Sequence, residues 1–238
     1  MRATDWEFRQ RFWIFGLIFG AGFFCYAFDH VNAGAAIAGW LQPRLGWTDR
    51  AAAHIVFGVG ASLTLLACAL RTWASSFLHT TVVHDQALHS ERLVADGPYR
   101  IVRNPLYLGN TILALGVAVM ASRLGMAVLV GLILLFNYRL IFREENELLQ
   151  SQGESYREYL RRVPRMFPAF SPRVPASPNR PQWAQAFVGE GFFWIFALAS
   201  VCFAVTLNFR YWWLPMLVAL PLYFLGNALV KRRSAPVA

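Results

Sequence analysis

The sequence predicts an all-α membrane protein with about six transmembrane helices, and three observations carry that expectation. Of the 238 residues, 57% are hydrophobic and 15% charged, whereas a soluble domain of this length carries roughly a quarter charged residues. Six apolar runs are long enough, at about 17 residues or more, to cross a bilayer. They cover 12–28, 51–70, 105–122, 124–142, 187–207 and 211–230. No alternation of strand-like and helix-like patterns interrupts them, and no GxGxxG segment occurs.

The elements follow in order. The first run comes after Arg2, Arg9 and Arg11 and is too long for a signal-peptide core, so it is expected to be a retained signal anchor. Residues 31–41 are apolar but short and rich in Gly and Ala, which suits an interfacial or re-entrant piece. Ser122 and Arg123 form a tight turn between the third and fourth runs. Prolines at 164, 168, 172, 175, 178 and 181 cannot sustain a helix and predict an extended polyproline linker. The expected division is therefore 1–74, N-terminal transmembrane helices; 75–170, a core with a helical hairpin; 171–186, the Pro-rich linker; and 187–238, a C-terminal two-helix hairpin.

Charge supplies orientation. The net charge is +9, but the basic residues alternate with apolar runs and form no stripe, which favours membrane lipids over nucleic acid as the partner. With the N-terminus inside, the inner segments hold 18 basic residues and the outer loops only Arg44, Arg50, Arg123 and Arg210. Excess positive charge marks the cytoplasmic side. Both termini and both long polar loops are thus expected in the cytoplasm of a multi-pass protein of a bacterial cytoplasmic membrane. Cys25, Cys68 and Cys202 have unrelated spacings and form no CxxC, so neither a disulfide framework nor a metal site is expected.

Polar residues that lipid-facing scaffolding does not need concentrate in 84–107, HDQALHSERLVADGPYRIVRNPLY, and in 139–170, RLIFREENELLQSQGESYREYLRRVPRMFPAF. In the first, Asp96-Gly97-Pro98 signals a turn, Asn104 stands where an N-cap belongs and Pro105 at the first helical position. A helix start with Arg103 beside it offers a place for an anionic group, and Tyr107 lies one turn further on. In the second, Asn137, Leu140, Glu144 and Leu148 share a helical stripe, and Arg143 and Glu147 are spaced to pair at i,i+4. A carboxylate at the end of a membrane span is costly unless it faces a wet cavity or a partner, which singles out Glu144 and Glu145. Gly153 is expected to stop the helix, after which Tyr156, Tyr159, Leu160 and Val163 form an amphipathic face at the membrane surface.

GPYRIVRNPLYLG resembles the GPYR-x-x-RHPxYxG signature of the isoprenylcysteine carboxyl methyltransferase and phospholipid methyltransferase group. REENELLQSQGESYREYLRRVPRMFP resembles that group's paired-glutamate helix and the segment after it. The two motifs stand in the same order, separated by a helical hairpin, over about residues 75–170. The resemblance implies a cytoplasmic pocket for S-adenosylmethionine built without a Rossmann domain. Carried over by position, His84, Leu93, Val94, Tyr99, Arg103, Asn104, Pro105, Tyr107 and Glu144 would contact that cofactor and Arg139 the acceptor; Glu145 is expected at the reacting centre with Arg139, and for an amine acceptor Glu144, Glu145 or His84 would take the proton. One departure is that the group's His is Asn104 here, which hydrogen-bonds but does not titrate near neutral pH. An orienting role is therefore expected of it, not proton transfer. The implied reaction moves a methyl group to a lipidic or small apolar carboxylate, amine or thiol. A nicotinamide-dependent enzyme of the intramembrane sterol reductase kind, and a non-catalytic membrane scaffold, are the alternatives.

Overall fold

A computed structural model of the chain describes residues 2–78, 95–176, 179–219 and 221. The described residues are helical, with a single isolated bridge between Asn32 and Ser122 in place of any strand. In chain order the helices are α1 (Asp5–Arg9), α2 (Arg11–Phe24, continued by a 3-10 turn over Cys25–Ala27), α3 (Ala33–Leu45) and α4 (Asp49–Ser76). A 3-10 turn over Gly97–Arg100 precedes α5 (Pro105–Ala118), α6 (Arg123–Gln152), α7 (Glu154–Arg162), α8 (Trp183–Gly189) and α9 (Gly191–Thr206). Residues 209–219 are again helical.

The all-helical expectation holds, but the expected six spans do not. Among the described residues only α4 and α6 are long and apolar enough to cross a membrane; α8 and α9 qualify together, although the chain bends by 65° between them. The 14 residues of α5 rise about 21 Å at 1.5 Å each, short of a hydrocarbon core of about 30 Å. The helix Arg11–Ala27 is also shorter than a span. Half of the sixth run, 211–230, lies outside the described residues.

Helix α5 ends at Ala118, and the carbonyls of the residues that follow are taken by donors from the N-terminal segment. The Ala33 and Gly34 amides donate to the carbonyls of Ala121 and Val119 at 2.8 and 2.9 Å, and Tyr26 Oη donates to Met120 O at 2.8 Å. The Asp29 carboxylate accepts from the Leu124 amide at 2.9 Å and from Arg123 at 3.2 Å. The Leu124 amide first, then Arg123, hold its carboxyl at about 2. Ser122 then caps α6, its Oγ accepting from Gly125 N at 3.0 Å.

Helix α4 packs against α3, α5 and α9, while α6 lies against α2 and α5. Where α4 meets α5, a Cβ at Gly116 would stand 2.7 Å from the Gly60 carbonyl oxygen, and one at Gly60 2.8 Å from that of Gly116. Small residues let the two backbones touch, as membrane helices without a hydrophobic drive toward each other require. Ile18, Leu129, Ile133, Phe136 and Leu140 fill the space between α2 and α6.

The 30 residues of α6 measure about 45 Å, so the turns after Phe142 extend past the apolar stretch. Gly153, at φ 59°, stops the helix as expected. The aromatic face of α7 does not lie on the membrane: Tyr156, Tyr159 and Val163 are buried against Ala95, Leu148, Leu149 and Val174. The proline-rich segment is non-helical where described, yet it is fastened down as a strap. Arg103 N donates to Pro164 O at 2.9 Å, Ala169 N to Ile101 O at 2.9 Å and Arg173 N to Arg100 O at 2.8 Å. Arg71, counted above with the inner loop charges, lies inside α4 and is buried.

Candidate functional site

Both polar stretches come together where the start of α5 meets the projecting end of α6. Pro105 is buried at the first position of α5, and Asn104 occupies the N-cap position without capping. Its amide instead reaches across, Nδ2 donating to Glu145 Oε1 at 3.3 Å and to the Arg165 carbonyl at 3.1 Å. The helix-start explanation of Asn104 therefore covers its backbone but not its side chain.

Glu145 is 6% exposed and is the hub of an ion cluster. Arg165 grips it in a fork, Nε at 3.2 and 3.1 Å from the two oxygens and Nη2 at 2.9 Å from Oε2. Arg103 Nε stands 3.4 Å from Oε1, and Arg103 Nη1 donates to the Leu160 carbonyl at 3.2 Å. A planar guanidinium meeting a carboxylate edge-on is the geometry that offsets the cost of removing both charges from water. Glu145 was expected at the reacting centre; its oxygens are taken up in holding the loop, α5 and the strap together.

Glu144 is different. Among the described residues its hydrogen-bond donor is Tyr107, whose Oη lies 2.6 Å from Oε1. Tyr107 is held in turn by Asn137, whose Nδ2 donates to the Tyr107 carbonyl at 3.1 Å and to Thr111 Oγ1 at 3.0 Å. Asn137 is fully buried, and its Oδ1 has no hydrogen-bond partner among the described residues. A buried acceptor without a donor costs about 1–3 kcal/mol, so a further donor at this oxygen, from water or a ligand, stabilises the site.

The remaining expected residues separate. Arg139 Nη2 donates to both carboxylate oxygens of Glu7, at 2.9 and 2.7 Å, and so fastens α1. That bond, before any other cause, holds the Glu7 carboxyl below its usual range. Tyr99 is half-buried in the 3-10 turn, its carbonyl accepting from Tyr159 Oη at 2.8 Å. Burial pushes its phenol well above the usual range. Arg143 pairs with Glu147 at 2.8 Å as its spacing predicts, and also with Asp5 at 2.7 Å. His84, Leu93 and Val94 lie outside the described residues.

Sequence reasoning missed Arg165 and both contacts of Asn137, and it missed a further buried pair, Arg71 with Glu190. Glu190 carried a usable signal: it is a lone carboxylate within the apolar run 187–207, the kind of residue that has a purpose when a membrane protein keeps it. An open apolar groove of about 460 Å³, lined by Ala33, Ala36, Ile37, Trp40, Arg123 and Met126, lies at the opposite end of α6 from Glu144. It carries none of the polar residues above.

Fold and site together define a helical membrane protein with a buried polar cluster at the end of its longest helix. Residues 55–154 match the sequence model of the phospholipid methyltransferase family. That segment takes in most of α4 and all of α5 and α6, holds the first motif with Glu144 and Glu145, and ends within the second motif. Two curated proteins are similar over longer stretches. The nickel-cobalt-cadmium resistance protein NccN of Alcaligenes xylosoxydans xylosoxydans is 27% identical over 183 residues, 74% of this chain and 79% of its own length. The cobalt-zinc-cadmium resistance protein CzcN of Cupriavidus metallidurans is 27% identical over 135 residues, 57% of this chain and 59% of its own. No solved structure matches the chain.

An expected outcome at Asn104 follows from its two contacts. Asn104→His, which keeps a donor at this position, retains ligand binding, whereas Asn104→Leu weakens it by roughly 1–3 kcal/mol through lost and unsatisfied hydrogen bonds. Calorimetry with S-adenosylhomocysteine on both variants checks this, and native affinity in the Leu variant would leave Asn104 as a helix start only.

Proposed function

We propose that the chain is an integral membrane methyltransferase that binds S-adenosylmethionine and methylates a lipidic or small apolar acceptor. The observation that carries the reading is the Tyr107–Glu144 contact beside the Asn137 oxygen that lacks a donor, within the family-matched segment. These residues fit the cofactor: its ammonium and ribose hydroxyls are donors, and Glu144 and Asn137 Oδ1 are acceptors.

When bound, the cofactor supplies an electrophilic methyl group on a positively charged sulfonium. The chain's residues do the rest. Tyr107 holds the Glu144 carboxylate in place for a ligand donor. Arg103, Asn104, Glu145 and Arg165 lock the loop, α5 and the strap into one rigid wall, which is what alignment of two reactants requires. For a carboxylate or thiolate acceptor, charge cancels as the methyl moves, and a site kept dry by this wall favours transfer. For an amine acceptor a base must take one proton, and Glu144, with one donor to share, is placed for it.

In this reading the end of the bundle that carries Glu144 faces the cytoplasm, with the acceptor entering from the bilayer. Topology reporters fused after residues 100 and 175 report the cytoplasmic side; a periplasmic signal from 145–180 overturns the arrangement. The two relatives are named for metal resistance. Among the described residues no group of three or more His, Cys, Asp or Glu side chains stands together that could hold an ion, and metal binding by this chain is not proposed. Calorimetry on the purified protein tests the central reading: S-adenosylmethionine and S-adenosylhomocysteine bind. Binding of reduced nicotinamide instead indicates the reductase alternative, and binding of neither indicates a scaffold.

A further inference from the structure

Glu190 stands at the break between α8 and α9, 2% exposed. Its carboxylate accepts from Arg71 Nε at 2.7 Å, from Arg71 Nη2 at 3.2 Å and from Ser75 Oγ at 2.7 Å. Arg71 also donates through Nη1 to Asn110 Oδ1, and its guanidinium lies 4.0 Å from the centroid of the Phe193 ring. Space for Arg71 is provided by Gly109, where a Cβ would stand 2.5 Å from Arg71 Cγ. Beside Arg71 on α4, and one turn beyond Glu190, Trp194 Nε1 donates to Thr72 Oγ1 at 2.9 Å.

Holding α8 and α9 on the bundle does not need charges. Apolar replacements of a buried ion pair are commonly neutral or stabilising, so a pair kept at the break of an apolar helix calls for a purpose besides cohesion. The link to Asn110 indicates which. Asn110 is three residues from Tyr107 and therefore on the same face of α5. One residue of this face thus leads to Arg71 and Glu190, and the other to Glu144.

We infer that Arg71 and Glu190 are a positioning couple for the methyl-transfer site. Acting through Asn110, they fix the rotation of the first two turns of α5, and so the placement of Tyr107 against Glu144. The bent α8–α9 pair is then a working part of the site and not an added membrane anchor. The inference rests on the reading of Tyr107 and Glu144 as cofactor contacts.

The test uses the full chain in one detergent, with S-adenosylhomocysteine affinity by calorimetry and the thermal midpoint measured on each variant. Asn110→Ala cuts the link and leaves the ion pair whole; its midpoint stays near the native value while the dissociation constant rises at least about fivefold, the order expected for a misplaced hydrogen-bonded contact. Arg71→Met with Glu190→Met replaces the pair by apolar side chains, keeps the midpoint and weakens binding to a similar degree. Asn110→Asp, which restores an acceptor for Arg71, binds within about twofold of native. Native affinity in both Asn110→Ala and the double variant overturns the inference, and so does a loss of binding that merely tracks a fall in midpoint. If the native chain itself binds no S-adenosylhomocysteine, the function proposed above fails first and the inference falls with it.

Discussion

Glu144→Gln lowers the affinity of the purified chain for S-adenosylhomocysteine at least about tenfold, or about 1.4 kcal/mol, while Glu147→Gln changes it less than about threefold. The two carboxylates are three residues apart on one helix but have different company. Glu144 receives Tyr107 Oη at 2.6 Å and lies on the stripe that begins with Asn137, whose Oδ1 lacks a donor. A Gln there keeps the shape but loses the charge and replaces one acceptor with a donor, which sets it against a ligand ammonium. Glu147 pairs with Arg143 at 2.8 Å, and Arg143 keeps Asp5 at 2.7 Å when Glu147 is gone. Helical pairs of this kind contribute about 0.3–0.5 kcal/mol. Titration of both variants in the same detergent decides the matter. A sensitive Glu147 beside a silent Glu144 would place the site on the wrong face of α6.

Glu145→Leu is expected to cost about 3–5 kcal/mol of stability, the usual penalty for removing one side of a buried ion pair. Arg103 and Arg165 both lose their carboxylate, and Asn104 loses one of the two acceptors of its amide. The damage does not stay local, because the backbone of Arg103 carries the bond to Pro164 that begins the strap. Denaturant titration of the detergent-solubilised chain, followed by tryptophan fluorescence, measures the effect. Glu154→Gln, which removes only exposed pairing with Arg157 and Arg161, shifts the midpoint little. Equal midpoints for the two variants would show that the cluster around Glu145 does not hold the loop to the bundle.

Much of this arrangement was legible in the sequence, for reasons that differ from element to element. Helix ends were readable because their chemistry is local: Ser122 bonds its own third neighbour, and Gly153 adopts a φ that favours glycine. That the first motif meets the glutamate helix was implied by the resemblance, whereas the bond between Asn104 and Glu145 had no signal in the spacing. The number of spans was not readable, because an apolar run says nothing about where its carbonyls find donors. Helix α5 stops where Ala33 and Gly34 claim the carbonyls of Ala121 and Val119. The face of α7 was read as membrane-bound because amphipathicity is the same whether the apolar side meets lipid or, as here, Leu148, Leu149 and Val174. Arg71 was taken for a loop charge because its partner lies 119 residues away.

The two clasps on the N-terminal helices bear on how the protein is made. At one end Glu7 depends on Arg139, and at the other Asp29, Tyr26 and Asn32 depend on residues 120–124. None of these partners exists while the ribosome is still building the first hundred residues. Helix α2 therefore gains both of its clasps only once α6 has been made. A chain stalled or truncated before residue 120 lacks every one of these partners, so α1 and α2 are held by neither clasp.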